Sequence, residues 1–148
     1  RIRNHVLPYL EEQVNTKTVA HMNETMDQIR QVQELLDELT QDAWENCVQK
    51  VGNGYCIKEQ AYQKISKGVR PLLIKRVMAV VSGHEKDLEA VHVNQIQELF
   101  EKQTSRKIDL PYQMEARREY EGVLVRVKEN TEILLIQYLQ QPEQKYSD

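Results

Sequence analysis

The stretch CVQKVGNGYC, residues 47–56, holds both cysteines of the chain and its densest turn signal. Gly52-Asn53-Gly54 reverses the chain, so the reading of its two flanks decides the fold. Upstream, Val19, Met22, Met26, Ile29, Val32, Leu36, Leu39, Ala43 and Cys47 recur every three or four residues. At 3.6 residues per turn this spacing stacks them on one helix face. Glu24, Asp27, Glu34, Asp37, Glu38, Asp42 and Glu45 fall between them on the wet side. The spacing predicts one long helix that ends near Val51, with Gly52 left-handed just past its end. Residues 1–15 read as an N-terminal segment or an extension of that helix: Pro8 suits a first turn, whereas Asn15-Thr16-Lys17-Thr18 is weak helix material.

Downstream, Ile57, Ala61 and Ile65 keep a helical face as far as Gly68. Pro71 restarts a segment, 69–81, that is apolar nearly all round except for Arg70, Lys75 and Arg76; such a helix belongs inside a bundle. From Glu85 a stripe of Leu88, Val91, His92, Gln95, Ile96, Leu99 and Phe100 follows. Asp109 reads as an N-cap before Pro111. The last helix then carries Tyr112, Ala116, Tyr120, Leu124, Val127, Leu134, Leu135 and Tyr138, with Gly122 as an interior defect. GVLVRV at 122–127 has a strand's composition, but no partner strand stands out, so helix is the expectation. The predicted fold is all-α: an elongated antiparallel bundle of four or five helices with one long N-terminal helix. It forms a single helical domain over residues 1–148, with 142–148 as a polar tail.

Composition narrows the function classes. The 148 residues are 40% hydrophobic and 29% charged with five Gly and four Pro, too apolar for a disordered chain. The net charge of −3 gives no global basic field for nucleic acid. Arg106-Lys107 and Arg117-Arg118 read as isolated pairs amid acids. No apolar run approaches a membrane span. Residues 24–45 hold seven acids and one base, and 58–76 six bases and one acid. Folding back at the turn sets Glu45 near Lys58, and Asp37 or Glu38 near Lys64 or Lys67. Pairing within the chain is favoured over a basic surface for lipid or phosphate.

Chemistry-bearing motifs are thin. His84-Glu85 opens like a zinc-protease helix, but Leu88 stands where the second His belongs. Glu89-x-x-His92 has the spacing of a di-iron half-site, yet no second Glu-x-x-His exists. The serines lie in no nucleophile elbow, and the glycines form no phosphate loop. No catalytic, metal-binding or cofactor-binding residue is therefore assigned.

Three functions follow. The first is a non-enzymatic secreted helical module that binds a protein partner. It rests on a Cys47–Cys56 disulfide contributing about 2.5–3 kcal/mol, an Asn23-Glu24-Thr25 glycosylation sequon, and a start at Arg1 that suggests a processed chain or segment. The second carries a lipid or other apolar ligand among Met78, Leu88, Ile96, Leu134 and Tyr138. The third is an intracellular, cytoplasmic coiled-coil scaffold that homodimerises through the 19–51 helix, with free thiols.

Overall fold

The computed structural model describes residues 16–129 and 138–140, so the segment 1–15, the tail 142–148, Leu134 and Leu135 lie outside the described residues. The chain divides into two compact units, Arg1–Thr40 and Gln41–Asp148. Helix α1 (Thr16–Cys47) contributes residues 16–40 to the first and 41–47 to the second. In the first unit Val19, Met22, Met26, Ile29, Val32, Leu36 and Leu39 are all exposed, Met26 at 62%. The stripe thus marks a helix as expected, but not a bundle core. Only its last two members, Ala43 and Cys47, enter the buried core of the second unit.

The second unit overturns the all-α expectation. It is a mixed α/β fold built on a five-stranded sheet in the order β1-β2-β5-β4-β3. The residues on either side of Gly52-Asn53 are strands, not helices: β1 (Val48–Val51) and β2 (Gly54–Lys58). They pair antiparallel with Val51 opposite Gly54, which leaves a two-residue turn. Gly52 has φ +58, the left-handed value a two-residue hairpin requires at its first turn position. The strand-like GVLVRV is β5 (Gly122–Val127), and its missing partner is β2, far upstream in sequence: Cys56 lies opposite Leu124 and Ile57 opposite Val123. β3 (Lys107–Leu110) and β4 (Met114–Arg118) complete an antiparallel meander with β5. Tyr112, Ala116, Tyr120, Leu124 and Val127 therefore belong to strands and hairpin turns, and Asp109 is a strand residue rather than a helix cap.

Three helices connect β2 to β3: α2 (Glu59–Lys64), α3 (Arg70–Ser82) and α4 (Ala90–Leu99). Pro71 sits in the first turn of α3, and Gly83 ends it at φ +77, its N–H donating to Ala79 at 2.8 Å. α3 packs on β2 and β5, and α4 on β3 and β4. Side chains alternate along each strand, so Val123, Val125 and Val127 face the helices while Leu124 and Arg126 face away. Ile57, Leu73, Ile74, Val77, Met78, Ile96, Met114, Val123 and Val125 are fully buried, each contributing about 1.5–3 kcal/mol by leaving water. Met78, Leu88 and Ile96 are thus packed core residues, whereas Tyr138 is 60% exposed. Tyr62 stacks on Phe100 with centroids 3.9 Å apart, and the Arg70 guanidinium lies over Tyr62. No helix among the described residues is long and apolar enough to cross a membrane.

Candidate nucleic-acid interface

The two dibasic pairs that look isolated in sequence meet in space. The β3–β4 register places Lys107 directly opposite Arg117, and the Arg118 N–H donates to the Arg106 carbonyl at 2.7 Å. Like charges directly opposite on a sheet repel, and the neighbouring rung shows how such charge is relieved. There Asp109 lies opposite Glu115, and each carboxylate takes a cation from the following segment. Arg126 Nε donates to Glu115 at 3.0 Å, and Lys128 Nζ lies 2.7 Å from Asp109. A hydrogen bond from Lys128, followed by its charge, pulls the Asp109 carboxyl below the usual carboxylate range. Arg106, Lys107 and Arg117 make no salt bridge among the described residues. Lys107 and Arg117 form a basic rung open to an anion, with Arg106 beside it in the chain.

Arg118 takes a different path. Strand alternation turns it to the helix-covered face, where it is 8% exposed. Its Nη2 donates to Glu59 Oε2 at 2.6 Å, and Nη1 donates to the carbonyls of Glu119 and Gly122 at 2.7 and 3.0 Å. The Glu59 N–H donates to the Glu121 carbonyl at 2.8 Å. These bonds lock the β4–β5 turn, residues 119–121, to the start of α2.

Beside this junction lies an open groove of about 920 Å³. The end of α1 contributes Asn46, the end of β2 Lys58, and α2 with its C-terminal flank Glu59, Gln60, Lys64 and Ile65. The locked turn contributes Tyr120 and Glu121. Tyr120 is 88% exposed. Arg118 already neutralises Glu59, so two lysines face one uncompensated carboxylate, Glu121. Lys58 and Lys64 form no salt bridge among the described residues, and the expected Glu45–Lys58 pair is not among the ion pairs. Sequence reasoning missed Tyr120 and the Glu59–Arg118 lock, because both follow from the turn between two strands read as one helix.

The residues singled out in the sequence are placed as follows. Cys47 and Cys56 are both buried and both free. Cys47 sits in the core with Ile57; Cys56, adjacent to Ile57 in β2, points to the other side of the sheet. The expected Cys47–Cys56 bond is not present in the structure, which holds both thiols free. Burial pushes both thiols up from their ordinary pKa, with Glu121 adding to the rise at Cys56. Glu89 and His92 form a capping box at the start of α4: the Glu89 N–H donates to His92 Nδ1 at 2.9 Å, and the Glu89 side chain accepts from the His92 N–H. The spacing that resembles a metal half-site is thus used to satisfy helix-terminal N–H groups. His84 stacks on Tyr112, 4.3 Å between centroids. Asn23 is exposed on α1.

No family model matches the chain. Among curated proteins it is similar to the tRNA(Ile)-lysidine synthase of Caldanaerobacter subterraneus subsp. tengcongensis, 26% identical over 132 residues and 89% of this chain. It is also similar to the tRNA(Ile)-lysidine synthase of Dehalococcoides mccartyi, 29% identical over 131 residues and 84% of this chain. These relatives overturn the expectations of a non-enzymatic, secreted, glycosylated module and of no nucleic-acid partner, because both are named as enzymes of tRNA. Net charge averages over the whole chain and says nothing of local basic clusters. The chain spans 28% and 26% of the length of these two relatives, about a quarter of each.

Proposed function

We propose that this chain is part of a tRNA-modifying enzyme of the tRNA(Ile)-lysidine synthase kind, and that it contributes surface that holds the tRNA. The observation that carries this reading is similarity to two such enzymes over 89% and 84% of the chain. The basic rung supports it: strand register holds Lys107 opposite Arg117, Arg106 adjoins it in the chain, and none of the three makes a salt bridge among the described residues. Cations of this kind hold phosphates and set register on the nucleic acid without reading sequence. The same proposal places the protein inside the cell with its tRNA, in keeping with two free thiols.

The test uses the full-length gene product. Depleting it and digesting tRNA(Ile) to nucleosides for mass spectrometry is expected to show loss of lysidine. Restoring the wild-type gene is expected to return it, and restoring an Arg106→Ala/Lys107→Ala/Arg117→Ala variant to return less. Lysidine levels unchanged on depletion overturn the reading.

A further inference from the structure

We infer that the groove beside the Glu59–Arg118 lock binds one unpaired nucleotide of RNA, its base stacked on Tyr120 and its phosphate held by Lys58 and Lys64. The inference rests on the tRNA reading for the class of ligand, and on the groove's own chemistry for the mode of binding. A tyrosine 88% exposed leaves an aromatic face in water. The backbone that carries it is held on both sides: the Arg118 guanidinium binds carbonyls at Glu119 and Gly122, and the Glu121 carbonyl accepts from the Glu59 N–H. The turn's backbone is therefore fixed before a ligand arrives, so binding has the Tyr120 side chain but not the loop to order. Stacking of this kind is open to any base, because every base has a π face.

The walls supply what a nucleotide needs besides a platform. Lys58 and Lys64 lie on the same groove as Tyr120 and are the cations for the backbone phosphate. Asn46 and Gln60 present amides, each with donors and an acceptor, suited to the edge of a splayed base. Glu121 is the one uncompensated carboxylate; it accepts from an exocyclic amine or a ribose hydroxyl and repels a second phosphate. A duplex hides its base faces, so the groove selects single-stranded or flipped-out positions.

The experiment measures binding of a short single-stranded RNA carrying one 2-aminopurine, the same strand annealed to its complement, and intact tRNA(Ile). Wild-type protein is expected to quench the 2-aminopurine in the single strand and to bind it more tightly than the duplex. Tyr120→Ala is expected to lose the quench and weaken binding about 5- to 150-fold, while Tyr120→Phe keeps both. Lys58→Ala and Lys64→Ala are each expected to lower the log–log salt slope by about 0.7 with the quench retained. Tyr120 is exposed, so its variants are expected to keep the wild-type urea midpoint. Equal affinity of wild type and Tyr120→Ala, or equal binding of single strand and duplex without quench, overturns the groove inference. If that occurs while tRNA(Ile) still binds, the tRNA reading survives alone. If tRNA(Ile) does not bind but the single strand does so through Tyr120, the tRNA reading fails and the groove stands.

Discussion

Gly122 opens the central strand β5 opposite Lys58 of β2, and the approach there is too close for any side chain. A Cβ built on Gly122 would lie 1.9 Å from the Ile57 carbonyl oxygen, 2.8 Å from its carbon and 3.0 Å from the Lys58 Cα. All three are backbone atoms of the paired strand, so no rotamer change relieves the clash. Reaching ordinary contact requires the strands to part by about 1.5–2.1 Å. That displacement stretches the 2.8 Å bond from Glu59 to Glu121 and the adjoining end of the β2–β5 ladder. Two weakened hydrogen bonds cost about 1 kcal/mol each, and overpacking adds about 1–3 kcal/mol. Gly122→Ala is therefore expected to cost about 3–5 kcal/mol. Two other glycines calibrate the effect. Gly83 has φ +77 and nothing within 4 Å of a built Cβ, so Gly83→Ala carries only the left-handed backbone cost, about 1–2 kcal/mol. Gly68 has ordinary φ and only Ser66 Oγ at 3.9 Å, so Gly68→Ala is neutral or stabilises by up to about 1 kcal/mol. Urea unfolding followed by circular dichroism reads all three. At a slope of about 2 kcal/mol/M the Gly122→Ala midpoint falls by roughly 1.5–2.5 M. A Gly122→Ala midpoint at or above that of Gly83→Ala would refute the reasoning.

The other predictions concern side chains. Glu59→Ala leaves the buried Arg118 charge with carbonyl partners alone and, discounted for the partial exposure of Glu59, is expected to cost about 2–3 kcal/mol. Glu59→Gln, which keeps an acceptor, is expected to cost less, and equal urea midpoints for the two would argue against an ion-pair role. The raised pKa values of Cys47 and Cys56 keep both thiols protonated at neutral pH. A disulfide reagent should therefore modify native protein slowly and urea-unfolded protein at two equivalents; fast native labelling counts against burial. The Asp109–Lys128 pair is complete above the ordinary carboxylate range and is lost as pH falls through the lowered Asp109 pKa. NMR titration of Asp109 should give a higher midpoint in Lys128→Ala than in wild type.

The extent to which the molecule was legible in the sequence can be traced residue by residue. α1 follows from its apolar spacing, and the start and end of α3 from Pro71 and Gly83. The sheet did not emerge, for three physical reasons. β1 and β2 are four and five residues long, and in so short a run VQKV fits a helical and a strand period equally well. β5 has the composition of a strand, but its partner β2 precedes the three connecting helices, and pairing over such a distance leaves no local trace. β3 and β4 carry KIDL and MEARR, in which Asp109, Glu115 and Arg118 take oppositely charged partners from elsewhere in the fold, so charge interrupts the alternation that marks a strand. The basic rung was invisible for the same reason: Arg106-Lys107 and Arg117-Arg118 become neighbours only once the β3–β4 register is set. The exposed stripe of α1 shows the converse, a periodic pattern that fixes helix identity without fixing what covers it.

The most direct test of the central claim is fluorescence-anisotropy binding of tRNA(Ile) to this chain across a salt series. Wild type is expected to bind with affinity falling linearly on a log–log salt plot. Arg106→Ala/Lys107→Ala/Arg117→Ala, shown by circular dichroism to be folded, is expected to bind more weakly with a slope shallower by about 2–3. Absence of tRNA binding at low salt, or a variant whose slope matches wild type, would contradict the assignment of this surface to tRNA.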